Sequence, residues 1–260
     1  MALALLPEPE TVNLDLPRLV MKNGSYFLVL RPDGMMGRAN TPYGLFKDDT
    51  RFLSGYELLI NEIPPNLVAS DTKEGYYGKF AYLTKTEKGE AILQVVRELV
   101  LQDGLAEHVV ITNQAPQAVS FKLTLNFAFD YKDMFEVRGQ KRKARGISKV
   151  EVINGQKVSS LYTGLDTVQR TTILETVNIP GASATENNIK ADIVLNPGEK
   201  LIFEVAVDTE KPVVSADGKA ALEDKNGQAI TTRYQRMKDL ADKTYKDWTG
   251  AVKTIKYSGK

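Results

Sequence analysis

The feature that most limits the possible folds is a long run of strand-length segments, punctuated by turn residues, from Leu19 to Asp208. Successive strand side chains point to opposite faces, so a half-buried strand reads as alternating apolar and polar residues. Phe52, Ser54, Tyr56, Leu58 and Ile60 fall in one phase of such a segment. Further segments lie at 66–70, 76–84, 91–101, 106–113, 118–129, 147–153, 157–163, 167–175, 188–195 and 200–208. Gln102-Asp103-Gly104, Asn154-Gly155 and Asn196-Pro197-Gly198 separate them, and Asn23-Gly24 divides two earlier strands, Leu19–Gly24 and Ser25–Leu30. Strands recurring about every 8–12 residues, with no helical pattern between them, predict antiparallel pairing. The expectation is an all-β fold: a large antiparallel β-sandwich, or supersandwich, with sheets sharing one core. No Pro/Gly/Ser-rich linker divides the middle of the chain.

Both ends have a different texture. Residues 1–16 carry two prolines, with a third at Pro17, and several acids, and read as an extended arm. The sandwich is expected over 17–228, with 209–228 a polar loop. Residues 229–260 read as a C-terminal helix and tail. Tyr234, Met237, Ala241, Tyr245 and Trp248 are spaced as one face of an amphipathic helix, opposite a charged face, with Gly250 as its expected stop. A helix leaving a sandwich and running into a tail has the character of a connector to a further domain.

Composition excludes several functions. The net charge of +1 gives no global electrostatic case for nucleic acid or an anionic membrane as partner. With no cysteine, thiolate zinc sites, disulfides and cysteine nucleophiles are ruled out. No metal or cofactor is expected, since neither a phosphate-cradling glycine loop nor a dinucleotide fingerprint occurs. No apolar run approaches the ~18 residues of a membrane helix. No secretory signal pattern stands at the N-terminus, and a cytoplasmic location is expected.

The chemistry-bearing residues concentrate in Asp130-Tyr131-Lys132-Asp133-Met134-Phe135-Glu136-Val137-Arg138-Gly139, where a strand pattern runs into three acids and an arginine. Asp130, Asp133 and Glu136 could supply the acid and base of glycoside hydrolysis. Alternatively they pair with Arg138, Arg142 or Arg145 and tie adjacent segments together, which is the reading preferred here. Asp49 and Arg51, two apart on an expected strand, would face the same side and join that network. His108 is the lone histidine, and a serine triad would have to use it, yet no Gly-x-Ser-x-Gly elbow exists. Lys141-Arg142-Lys143-Ala144-Arg145 reads as a solvated basic loop. Tyr76-Tyr77 and Phe80-Ala81-Tyr82 could stack sugars or pack a core.

Two stretches resemble a known family. Gly44-Leu45-Phe46-Lys47-Asp48-Asp49-Thr50-Arg51-Phe52-Leu53-Ser54 is similar to a GLF-x-x-DTR-[FY]-LS signature, and the 130–139 stretch, with Arg145-Gly146, to a DFADxFEVRG…RG signature. Both resemble the N-terminal domain of bacterial glycogen debranching enzymes, the amylo-alpha-1,6-glucosidase family. Arg97-Glu98, Glu107-His108, Asn113 and Tyr162-x-Gly164-x-Asp166 fit the pattern, which covers roughly residues 20–210. The resemblance implies a β-sandwich ahead of an (α/α) toroid. That toroid carries the catalytic carboxylates and cleaves α-1,6 branches of glycogen-like glucans. It further implies the toroid as partner, in cis or in trans, and no catalytic residue in the sandwich. A stand-alone α-glucan-binding module is the alternative. Since only one helix is read here, hydrolysis by this chain alone is not expected. Asp49, Arg51, Asp130, Asp133, Glu136, Arg138 and Arg145 are expected as a structural or docking network.

Overall fold

The computed structural model describes residues 16–37, 41–72, 74–85, 91–209 and 232–252. The expected arm up to residue 15, most of the loop at 209–228 and the tail after Val252 lie outside the described residues. The elements begin with β1 (Leu19–Asn23), β2 (Tyr26–Leu30), β3 (Gly44–Lys47), β4 (Thr50–Leu53), β5 (Gly55–Ile60) and β6 (Asn66–Asp71). They continue with β7 (Tyr77–Lys85), β8 (Ala91–Leu101), β9 (Leu105–Asn113), β10 (Val119–Ala128), α1 (Met134–Val137) and β11 (Ile147–Asn154). The last are β12 (Lys157–Thr163), β13 (Gln169–Val177), β14 (Ser183–Ala184), β15 (Asn188–Leu195), β16 (Lys200–Asp208) and α2 (Arg233–Val252).

These strands form two four-stranded sheets, β1-β2-β3-β4 and β14-β15-β10-β5, and one eight-stranded sheet, β11-β12-β13-β16-β9-β8-β7-β6. Every pairing is antiparallel, as in the expected sandwich. Alternation supplies the core. Leu93, Val95, Leu99 and Leu101 of β8, Leu105, Val109 and Ile111 of β9, and Leu201, Phe203, Val205 and Val207 of β16 point inward. They share one apolar cluster with Leu28, Leu45, Leu58, Leu123 and Leu125 of the smaller sheets.

The expected strand through Phe52–Ile60 is interrupted. β4 pairs with β3, whereas β5 pairs with β10 in a different sheet. The corner falls at buried Ser54, whose N–H donates to the Ala128 carbonyl at 2.7 Å. Strands that change sheets at such a corner let one chain serve both layers. Asp49 is not on a strand: Asp48 and Asp49 have φ of 44° and 65° and form the β3–β4 turn. Aspartate tolerates that left-handed backbone better than most residues. The 130–139 stretch also leaves the strand pattern. Tyr131 has φ of 50°, and α1 follows at Met134.

Register defines one end of the sandwich. Tyr77, Val100, Ala106, Ala206 and Glu175 lie abreast. From that level β8 ends at Leu101 and β16 at Asp208, while β12 runs on to Thr163 and β13 back to Gln169. The β12–β13 hairpin therefore projects beyond its neighbours. α2 lies on the outer face of the large sheet and runs toward the same end. It begins with Tyr234 over Glu98, His108 and Glu204, and continues to Ala241 and Tyr245 beside Tyr76. Tyr234 and Ala241 are buried, but Tyr245 and Trp248 are exposed, so the expected apolar face outruns the sheet. The helix also continues past Gly250 to Val252. A single glycine inside a helix costs only about 1 kcal/mol.

Candidate functional site

Three stretches distant in sequence meet at the projecting end: the β3–β4 turn, residues 130–146 and the β12–β13 turn. They enclose a cleft of about 210 Å3 lined by Thr50, Tyr131, Asp133, Glu136, Arg142, Ala144, Arg145, Tyr162, Gly164, Leu165, Asp166 and Arg170. The backbone assembles it first. Arg51 N–H donates to Lys132 O at 2.8 Å, and Met134 N–H donates to Asp49 O at 3.0 Å. Asp49 thus takes part through its carbonyl, with an exposed side chain.

Arg51 anchors the floor. It is 1% exposed. Its Nε donates to Asp130 Oδ1 at 3.1 Å, and Nη2 pairs with Oδ2 of the same carboxylate. Nη1 donates to the carbonyls of Thr41 at 2.5 Å and Tyr43 at 3.0 Å. Arginine is suited to this because its fork meets a carboxylate bidentately. Gly44 is required beside it: with φ of 153°, a Cβ there would lie 2.5 Å from Arg51 Cδ.

The acids of the 130–139 stretch are all engaged. Asp133 is the N-cap of α1. Its Oδ1 accepts Glu136 N–H at 2.8 Å, and Glu136 Oε2 accepts Asp133 N–H at 3.2 Å. That reciprocal capping box satisfies two donors a short helix would otherwise leave open. The remaining oxygens take arginines. Arg142 Nη2 meets Asp133 Oδ2, Arg142 Nε lies 3.4 Å from Glu136 Oε2, and Arg145 Nε lies 3.1 Å from Glu136 Oε1. Arg145 also donates to Asp130 O at 2.6 Å. Arg138 behaves otherwise. It is the exposed C-cap residue, and among the described residues its side chain makes no ion pair.

Aromatic rings close the inner wall. Tyr131 stacks on Tyr162 at 5.2 Å and meets Phe52 edge-on at 5.7 Å. Its hydroxyl donates to Ser160 O at 2.8 Å and lies 2.9 Å from the Thr172 hydroxyl. Burial pushes its phenol above the ordinary tyrosine value, against the opposing pull of those hydrogen bonds. Tyr162 Oη accepts Gly146 N–H at 3.0 Å. Gly146 passes so near Thr163 that a Cβ would lie 1.9 Å from its carbonyl oxygen.

Chemically, Asp133 and Glu136 have no oxygen set aside for a proton transfer. The alternative of a glycosidase built on Asp133 and Glu136 needs an acid and a base free to reach substrate, and here both carboxylates are occupied by guanidinium groups and backbone donors. The cleft is also smaller than the about 300 Å3 at which small-molecule pockets begin.

Of the rings in the suggested sugar platform only that of Tyr77 is partly exposed, and Lys238 lies over it. Tyr76, Phe80 and Tyr82 are buried, because they are the core-facing or helix-covered residues of β7 and its approach. His108 lies under α2, its ring 5.4 Å from that of Tyr234. Among the described residues, no group of three His, Asp or Glu could hold a metal ion, and no helix is long and apolar enough to cross a membrane.

A second charged cluster lies inside the core. Arg97 Nε pairs with Glu107 Oε1, and Tyr56 Oη donates to Glu107 Oε2. Arg97 Nη1 donates to Gly34 O at 3.1 Å and to Tyr82 Oη at 3.3 Å. The guanidinium carbon lies 5.4 Å and 5.9 Å from the Tyr56 and Tyr82 ring centres. The signal for it was a charge in the apolar phase of both β8 and β9: Leu93-Val95-Arg97-Leu99 and Leu105-Glu107-Val109-Ile111.

The fold is shared with solved proteins of low identity. A galactose mutarotase-like protein from Lactobacillus casei ATCC 334 is 8% identical over 74% of this chain and 100% of that one, with a TM-score of 0.51. A putative kojibiose phosphorylase from the human microbiome is 12% identical over 89% of this chain, with a TM-score of 0.50, and this chain covers 33% of that one. No curated protein sequence matches. Residues 21–206, most of the chain, match the family described as the N-terminal domain of (some) glycogen debranching enzymes, and the chain belongs to that family.

Proposed function

We propose that this domain supports a separate catalytic (α/α) toroid that hydrolyses α-1,6 branches of a glucan, and that it supplies no catalytic carboxylate of its own. The observation that carries the reading is the full engagement of Asp130, Asp133 and Glu136, in a member of a debranching-enzyme N-terminal family. Asp49, Arg51, Asp130, Asp133, Glu136 and Arg145 then act as a frame that fixes the end face of the sandwich. The direction of α2 supports the same view, since it runs toward that end with Tyr245 and Trp248 uncovered. The phosphorylase likeness adds a precedent for this fold as about a third of a longer carbohydrate-acting chain. The cytoplasmic location expected from the sequence belongs to the same reading.

The test is hydrolysis of branched dextrin by the domain alone and together with a separately produced debranching-enzyme toroid. The expected result is no hydrolysis by the domain alone, and a raised melting temperature of the toroid on mixing. Hydrolysis by the domain that disappears in Glu136→Gln would overturn the reading. One observation favours glucan binding as a second role: the exposed Tyr245 and Trp248 rings are 6.1 Å apart and tilted by 38°. Retarded migration in glycogen gels, abolished in Trp248→Ala, is the outcome that role requires.

A further inference from the structure

Around the cleft, exposed apolar and cationic side chains alternate in a way the framework does not need. Phe135 is 64% exposed, although α1 is fixed on both sides of it by the capping box. Leu165 on the β12–β13 turn is 67% exposed, Val168 48%, and Ile147, paired with Thr163, 79%. Scattered exposed apolar residues are ordinary, but four gathered at one end of a rigid scaffold mark a contact surface. Between them runs 138–149, which contains six cations and no acid. Arg142 and Arg145 are held by Asp133 and Glu136. Arg138, Lys141, Lys143 and Lys149 are exposed, and among the described residues they make no ion pair.

We infer that this end face is a docking surface for an acidic protein face bearing an apolar pocket, with Phe135 as the inserted anchor and Arg138, Lys141 and Lys143 as the charged rim. The occupant is the catalytic domain, so the inference rests on the reading above. The family match sets the occupant, since the matched family is the N-terminal domain of glycogen debranching enzymes; α2 carries the chain toward this end of the sandwich, across β9 and β8 to β7. The chemistry fits a protein interface, in which a few central aromatic anchors carry most of the affinity and a charged rim sets orientation and on-rate. An aromatic on a capped helix turn loses little conformational freedom on binding. The frame beneath keeps it in place: Asp133, Glu136, Arg142 and Arg145 lock α1 to the basic loop that follows it.

The experiment is calorimetric titration of the domain with the separately produced toroid, at low and at high salt. Binding of the wild type is expected to weaken about tenfold in Phe135→Ala, the loss of a modest hot spot. Lys141→Glu with Lys143→Glu is expected to weaken binding and to flatten its salt dependence, since exposed charges act within about 10 Å at 0.1 M salt. Thermal unfolding of each variant at the wild-type temperature shows that the domain is intact. Wild-type binding that both variants retain in full would overturn the docking surface and leave the support role standing. No wild-type binding would overturn the support role, and the surface with it. Retention on a heparin column that the double charge reversal abolishes, with toroid binding unchanged, would assign the basic loop to a polyanion and overturn the inference.

Discussion

The protein contains two arginine–carboxylate clusters of similar chemistry in opposite surroundings. Arg97 and Glu107 have side chains 0% and 1% exposed, and the rings of Tyr56 and Tyr82 lie beside the guanidinium. At the end face the Arg142 side chain is 52% exposed, Asp133 23% and Glu136 8%. A buried charge that loses its partner stays buried, whereas an exposed one is rehydrated. The core cluster is therefore costly to break from one side only, and closed to any partner. The end-face cluster is individually weaker but presents its neighbours, Phe135 and the basic loop, to the outside. Arg51 lies between these extremes, with a fully buried guanidinium on a carboxylate that is 19% exposed.

The largest effect expected is that of Glu107→Gln. Leaving Arg97 without its counter-charge should destabilise the domain by about 3–5 kcal/mol in urea unfolding. The double change Arg97→Met with Glu107→Leu should recover much of that loss, because apolar replacements of a buried pair are often tolerated. A loss below about 1 kcal/mol for Glu107→Gln, the level of a surface pair, would erase the contrast between the clusters. Alkaline pH probes the same site. Burial first, and then the Glu107 carboxylate, push the Tyr56 phenol well above 10. A phenol whose folded value exceeds its unfolded value of about 10 contributes fully below that pH and loses its contribution as pH rises. Stability should thus fall above about pH 10, and the fall should be shallower in Tyr56→Phe. An unchanged slope would mean that the alkaline loss comes from other buried tyrosines, such as Tyr82 and Tyr131, whose phenols burial also raises.

Arg51→Lys should come next. Lysine keeps the charge but loses the bidentate pairing with Asp130 and one or both carbonyl contacts to Thr41 and Tyr43. Charge-assisted hydrogen bonds contribute about 1.5–3 kcal/mol each, partly regained by an ammonium, so about 2 kcal/mol is expected from thermal unfolding. A neutral result would place Arg51 with the exposed pairs.

The same contrast explains what could be read from the sequence. Strand positions were legible because period-two patterning and turn residues coincide along 66–208, and β8, β12, β15 and β16 fall where the spacing puts them. The corner at Ser54 was not, because alternation continues through it and only pairing partners reveal the change of sheet. Asp48-Asp49 carried a turn signal in its residue types, but the apolar residues on both sides masked it. For the end-face cluster, the acids and arginines were conspicuous as a group, yet their pairing was not: Asp133-x-x-Glu136 spells a capping box, and the strand pattern before it concealed the helix. Arg138 was expected to pair and faces solvent, since residue spacing says nothing about which arginine a turn brings back. The core pair is harder still. Arg97 lies opposite Val109, diagonal to Glu107, and only the β8–β9 register brings them together.

The smallest effects separate the two roles of Asp133. As N-cap it accepts the Glu136 N–H, and as counter-ion it holds Arg142. Asp133→Ala removes both and should cost about 1 kcal/mol, the usual loss for an N-cap. Asp133→Ser keeps a capping oxygen but discards the charge, and Arg142→Ala discards the charge while keeping the cap. Both should cost no more than about 0.5 kcal/mol, as for exposed ion pairs. Equal losses for Asp133→Ala and Arg142→Ala would mean that the ion pair, not the cap, holds α1, and the end face would then resemble the core. The expected order, with the alanine change at Asp133 clearly the worst, would mean that a backbone motif fixes α1 and that the Arg142 ion pair adds little to it.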